Sequence, residues 1–166
     1  VILNCSAHVD LTTVSVSGSA LAGGIVGLDG FSILANSYAM GSIYADAGVN
    51  AATIGGIAGM QAGVAGNNYS DMKLTSKNAT GDIGGIAGRN LATGIVRACE
   101  ASGAIFGQSM TGGIVGENLG SIVSCRGRAY VNIESTDPSI DLSDLSLDFS
   151  LDLASLSRLD TLNIAT

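Results

Sequence analysis

Three cysteines, one histidine and a scatter of carboxylates are the side chains here best able to do chemistry, and their spacing argues against most of it. A zinc site draws four ligands from Cys and His, commonly in Cys-x-x-Cys pairs. Cys5, Cys99 and Cys125 form no such pair and His8 is the single histidine, so no metal is expected. No Gly-x-Ser-x-Gly, His-Glu-x-x-His or phosphate-binding loop occurs, which leaves no nucleophile beside its base and no cradle for a phosphate. The expectation is therefore no catalytic residue, no cofactor and no enzymatic activity in this chain, although a parent protein could carry a separate catalytic domain. Tyr38, Met40 and Tyr69 offer binding instead. As an exposed apolar patch they could stack on a sugar or contact a partner, or be ordinary surface aromatics.

What positions these residues is a repeat. Gly23-Gly24-Ile25-Val26-Gly27, Gly55-Gly56-Ile57-Ala58-Gly59, Gly84-Gly85-Ile86-Ala87-Gly88 and Gly112-Gly113-Ile114-Val115-Gly116 are four copies of one pattern, with isoleucines 32, 29 and 28 residues apart. A period that drifts by a few residues marks one supersecondary unit with insertions tolerated at one point. Read as a strand, each copy turns its isoleucine inward between two inward glycines. The missing Cβ atoms would let stacked backbones approach. Gly24, Val26, Gly56, Ala58, Gly85, Ala87, Gly113 and Val115 then form a flat outward face.

A second column runs in phase. Aligning Cys5, Ser37, Asn68, Cys99 and Cys125 brings Leu11, Ile43, Leu74, Ile105 and Val131 six positions later, and Ile2, Leu34, Ala65, Val96 and Ile122 three positions earlier. The even offset keeps column and later aliphatic on one strand face, while the odd offset demands a bend. Each repeat thus reads as strand, turn, strand, bend, strand, one coil of a β-solenoid that buries its inner face only by stacking on its neighbours. The fold expected is all-β: a β-solenoid, a right-handed parallel β-helix, of four to five coils. Cys99 and Cys125 fall on consecutive coils about 4.8 Å apart, a spacing that permits a disulfide. Parallel side chains bridge poorly, so buried free thiols are the favoured reading.

Smaller features follow from the register. The segments of variable length, 13–22, 45–54, 76–83 and 107–111, should project from one edge, either as recognition loops or as solvated spacers. Asp29, Gln61, Asn90 and Asn118, each four past the isoleucine, should hydrogen-bond coil to coil. Gly30, Gly63, Gly94 and Gly120 should supply positive φ. Ser6, Tyr38, Tyr69, Glu100 and Arg126 lie one past the column, pointing out, which makes Glu100 and Arg126 a surface pair; His8 also faces solvent. Asp10, Asp71 and Glu100, the acids a catalytic solenoid would have to gather, do not converge.

The composition agrees with a packed chain rather than a disordered one: 46% hydrophobic, 13% charged, 24 Gly, one Pro and no Trp in 166 residues. No apolar run is long enough to insert in a membrane, and no basic leader is seen, so the chain reads as a segment of a longer protein. Formal charge is −7 with no basic stripe, which argues against nucleic acid. Two regions are expected, repeats over 1–134 and an acidic, Leu-rich segment over 135–166. In the latter Leu145, Leu147, Phe149, Leu151 and Leu153 alternate with polar residues, as in an amphipathic cap. Asp141, Asp144, Asp148 and Asp152 suggest calcium but lack the glycine-marked loop of a calcium site.

The run GGIVGENLGSIVSC, with GGIAGRNLATGIVRAC and the two earlier copies, resembles the GLUG-motif repeat of large bacterial surface and secreted proteins. Such proteins include filamentous-haemagglutinin-like adhesins and the non-catalytic regions of immunoglobulin-A-cleaving metallopeptidases. The resemblance covers residues 1–133; the second copy departs from it, with Gln61 in the Asn place and Asn68 in the Cys place. It implies an extracellular, bacterial cell-surface location and a non-catalytic role as adhesion or spacer scaffold, or as an accessory region of a secreted peptidase or other hydrolase. Implied partners are a host or cell-surface protein or glycan and neighbouring domains of the same chain.

Overall fold

A computed structural model describes residues 1–46, 51–77 and 81–132. The chain divides into two compact units, Val1–Ile133 and Glu134–Thr166. The acidic segment, with its expected cap and its calcium alternative, lies outside the described residues.

The described chain is all-β without a helix, wound as a parallel β-solenoid of four full coils and part of a fifth. Each full coil has four walls. The first wall stacks Ile2–Leu3, Ile33–Ala35, Val64–Gly66, Ile95–Arg97 and Ser121–Val123. The second, the longest, stacks Ser6–Val14, Tyr38–Asp46, Tyr69–Lys77 and Glu100–Phe106, ending on Arg126–Gly127 and Tyr130–Val131. The third stacks Ala20–Gly23, Ala52–Gly55, Asp82–Gly84 and Met110–Gly112; the fourth stacks Val26–Asp29, Ala58–Gln61, Ala87–Asn90 and Val115–Asn118.

The interior consists of rows running through the coils. In the second wall Leu11, Ile43, Leu74, Ile105 and Val131 pair in register. In the first wall Ile2, Leu34, Ala65, Val96 and Ile122 do the same. Side chains of the middle coils in both rows are fully buried. Burying each such aliphatic contributes roughly 1.5–3 kcal/mol, and only a neighbouring coil can supply the covering atoms. Between these walls lies the expected bend. Asn4, Asn36, Asn67, Ala98 and Ser124 have positive φ there, which turns the chain so that the following residue again points inward.

The glycine-rich pattern is a corner and not a continuous strand. Gly84 ends the third wall, Gly85 and Ile86 bend, and Ala87 begins the fourth. Ile57 and Ile86 still point inward and are fully buried, while Ile25 and Ile114 pack partly buried at the ends of the stack. The bend reverses the phase assumed for a straight strand. Gly24, Gly56, Gly85, Ala58, Ala87 and Val115 are consequently buried and do not form an outward face. A Cβ on Gly85 would collide with Ala101 of the second wall, and one on Gly88 would lie 2.7 Å from the Ile54 nitrogen. The third and fourth walls therefore pack backbone on backbone, a contact that only glycine allows.

Two further expectations are corrected. The later parts of the variable segments are the third wall, not edge loops, because Ala20, Ala52, Ile54 and Ile83 bury their side chains in the core. Gly30, Gly63, Gly94 and Gly120 do not have positive φ; it occurs in glycine at Gly18, Gly41 and Gly103. Gly63 and Gly120 instead make room for the backbones of Ser32 and Gly94 in the preceding coil.

Candidate functional site

Several polar side chains in the interior form ladders, while Ser70 Oγ and Ser76 Oγ are buried without a hydrogen-bond partner. At the corner column Cys5 N donates to Ser37 Oγ at 3.2 Å, Ser37 N to Asn68 Oδ1 at 2.9 Å and Asn68 N to Cys99 Sγ at 3.5 Å. Cys5, Cys99 and Cys125 are free thiols, and Cys99 and Cys125 donate to nearby backbone carbonyls. Burial pushes the Cys99 thiol up to about 11, against the hydrogen bonds it receives from Asn68. A thiol held protonated is a poor nucleophile.

Asp29, Gln61, Asn90 and Asn118 stack in register, but the expected hydrogen-bonded ladder breaks between Gln61 and Asn90, where Gln61 Oε1 and Asn90 Oδ1 are buried without a partner. Gln61 Nε2 donates to Asp29 Oδ2 at 2.6 Å, and Asn90 Nδ2 donates to Asn118 Oδ1 at 2.8 Å. Beside them runs a feature not anticipated from the sequence. Arg89 bridges Asp82 at 2.6 Å in its own coil and Glu117 at 2.5 Å in the next, with Asp82 almost wholly buried. The signal was present, since Arg89 and Glu117 each stand three residues past a repeat isoleucine. An ion pair covered in this way holds the third and fourth walls together.

The outer face of the second wall carries the side chains free to meet a ligand. Ser6, Tyr38, Tyr69, Glu100 and Arg126 form one row, and His8, Met40 and Asp71 part of the next. The tyrosine rings of Tyr38 and Tyr69 are stacked, 5.3 Å between centroids and 10° between planes. Tyr69 OH lies 2.9 Å from Ser102 Oγ, which leans the ring along the strands. Met40 stands in register between His8 and Asp71, so Tyr38, Met40 and Tyr69 do share one face. His8 is exposed on it. Glu100 and Arg126 are register neighbours, but the ion pair is Glu100 with Arg128 at 3.2 Å. Arg128, two residues further on, lies on the same face.

Asp10, Asp71 and Glu100 occupy three separate rows. Among the described residues no group of three or more His, Cys, Asp or Glu could hold a metal ion, and no helix is long and apolar enough to cross a membrane. A second concave surface, which sequence reasoning missed, lies at the corner of the first and second walls around Asn36, Asn67 and Arg97. Its signal was the asparagine that precedes the column in three coils, at Asn4, Asn36 and Asn67.

The fold defines the chain as a parallel β-solenoid repeat protein. No family model matches it, and neither a curated protein nor a solved structure was found to be similar.

Proposed function

We propose that this chain is a non-catalytic repeat module of a bacterial surface protein, kin to the GLUG-motif repeats, that works outside the cell as a binding scaffold. The observation that carries the reading is the division of labour among its polar groups. Many of those in the interior hydrogen-bond from coil to coil, whereas the stacked pair Tyr38 and Tyr69, with Met40 beside it, faces outward on the longest wall. Aromatic rings on a rigid sheet lose little entropy on binding and suit the C–H face of a sugar. A repeat scaffold of this kind can present such a face and also act as a spacer between domains.

A glycan array probed with the wild-type chain and with Tyr38→Ala/Tyr69→Ala tests this. The reading expects neutral glycans bound by the wild type and lost by the double variant. Equal signals would remove the tyrosine face from the account, and a blank array would reduce the module to a spacer.

A further inference from the structure

The outer side of the corner between the first and second walls holds a trough of about 430 Å³. It arises from the outward row of the first wall, which reads Leu3, Ala35, Gly66, Arg97 and Val123 from coil to coil. Two successive coils contribute almost no side chain to that row. With coils about 4.8 Å apart, the backbones of Leu3 and Arg97 are separated by about 14 Å over a floor of Ala35 and Gly66.

Three chemistries border the floor. Along the corner, Asn67 Nδ2 donates to Asn36 Oδ1 at 2.8 Å, and both side chains are exposed. That bond leaves the Asn36 amide with donor capacity and the Asn67 carbonyl with acceptor capacity for a ligand. Arg97 closes one end and lies along the floor, since a carbon added to Gly66 would sit 3.4 Å from its Nε. The trough lining contains no acid, and the ion pairs among the described residues belong to Arg89 and Arg128. Outside the lining, two positions back along the strands, runs the outward row of Ile33, Val64 and Ile95, within reach of a ring that overhangs the trough.

A guanidinium takes a carboxylate through two parallel hydrogen bonds. Side-chain amides that offer both a donor and an acceptor suit hydroxyls, which are both, and an aliphatic row suits the C–H face of a pyranose. We propose that this trough binds an acidic sugar, with its carboxylate on Arg97 and its ring hydroxyls on Asn36 and Asn67. A peptide ending in a free carboxylate is the poorer fit, because the floor offers no apolar pocket to take a peptide side chain. None of the tyrosine-face residues lines the trough, so acidic sugars held there should survive Tyr38→Ala/Tyr69→Ala.

The test is calorimetric titration of the whole chain with a tetrasaccharide of alternating glucuronic acid and N-acetylglucosamine, at low salt. Its carboxyl-reduced counterpart and trialanine serve as comparisons. Saturable binding of the acidic tetrasaccharide is expected, weakened at least tenfold by carboxyl reduction. Arg97→Gln should weaken it to the same degree. Gly66→Leu should too, by pushing aside the Arg97 side chain that lies over it; the added carbon meets that side chain and no backbone, and circular dichroism would verify the fold. The proposal is overturned if the wild type does not bind, if the reduced sugar binds equally, if either folded variant binds undiminished, or if trialanine binds as tightly as the sugar.

Discussion

Asn68 grips Ser37 from one coil away: its Oδ1 accepts the buried Ser37 N–H at 2.9 Å, while its Nδ2 donates to the Leu34 carbonyl at 2.8 Å. One side chain thus satisfies a donor and an acceptor at the inner corner of the neighbouring coil, where water cannot replace it. Asn68→Ala strands both groups and is expected to cost about 2–3 kcal/mol. Asn68→Ser, which copies the residue at Ser37, should cost less. Urea unfolding of the two variants checks the order; equal, near-zero losses would show that the column is not a ladder.

The same corner contains an imperfection that can be repaired. Ala98 has φ 49° where Asn36 and Asn67 have 52° and 55°, and an alanine pays about 1–2 kcal/mol for left-handed backbone that asparagine tolerates better. Ala98→Asn is expected to stabilise the chain by about 1 kcal/mol, visible as a higher urea midpoint with unchanged slope. A lower midpoint would contradict the corner geometry.

These two sites show where the sequence was readable. Rows such as Ile43, Leu74 and Ile105 were legible because a constant offset recurs in every coil, and stacking is the physical cause of that recurrence. The bend before the column was legible because an odd offset cannot keep two residues on one strand face. The corner at Gly85 and Ile86 was not. A glycine between apolar residues looks alike in a strand and in a bend, and misplacing it reversed the phase of Ala58 and Ala87. The third wall was hidden for another reason. Its strands are three or four residues long, and its inward row Ala22, Ile54, Ile83 and Thr111 keeps step with the repeat isoleucine, three residues before it, but not with the column, and holds a small or polar residue in the first and last coils. On the site, Tyr38 and Tyr69 followed directly from register. The trough at Arg97 did not, because a gap is made by what Ala35 and Gly66 lack.

Glycine at the corner is expected to be irreplaceable where backbones touch and dispensable where they do not. A Cβ on Gly88 would lie 2.7 Å from the Ile54 nitrogen and 2.8 Å from the Asp82 carbonyl oxygen, whereas one on Gly30 meets nothing within 4 Å. Gly88→Ala should destabilise by about 2 kcal/mol or more through forced separation of two walls. Gly30→Ala should change stability by no more than about 0.5 kcal/mol. Thermal melts of the pair decide it, and equal melting temperatures would refute the backbone contact.

The raised Cys99 thiol predicts a pH dependence of definite sign. Below pH 9 the thiol is protonated in both folded and unfolded chains and contributes no slope. Between its ordinary value of 9.0 and about 11 the unfolded chain releases a proton that the folded chain retains, so stability falls as pH rises. Cys99→Ala should flatten that part of the curve, measured by urea unfolding from pH 8 to 11. A curve of the same steepness in the variant would place the cause elsewhere.

The coil-on-coil stack is tested most directly by methyl–methyl nuclear Overhauser contacts along one interior row. Register pairs Ile43 with Leu74 and Leu74 with Ile105, at about 4.8 Å per step and about 9.6 Å over two. The account predicts strong cross-peaks from Leu74 to both isoleucines and none between Ile43 and Ile105. Absent Leu74 contacts, or a direct Ile43–Ile105 peak of equal strength, would contradict it.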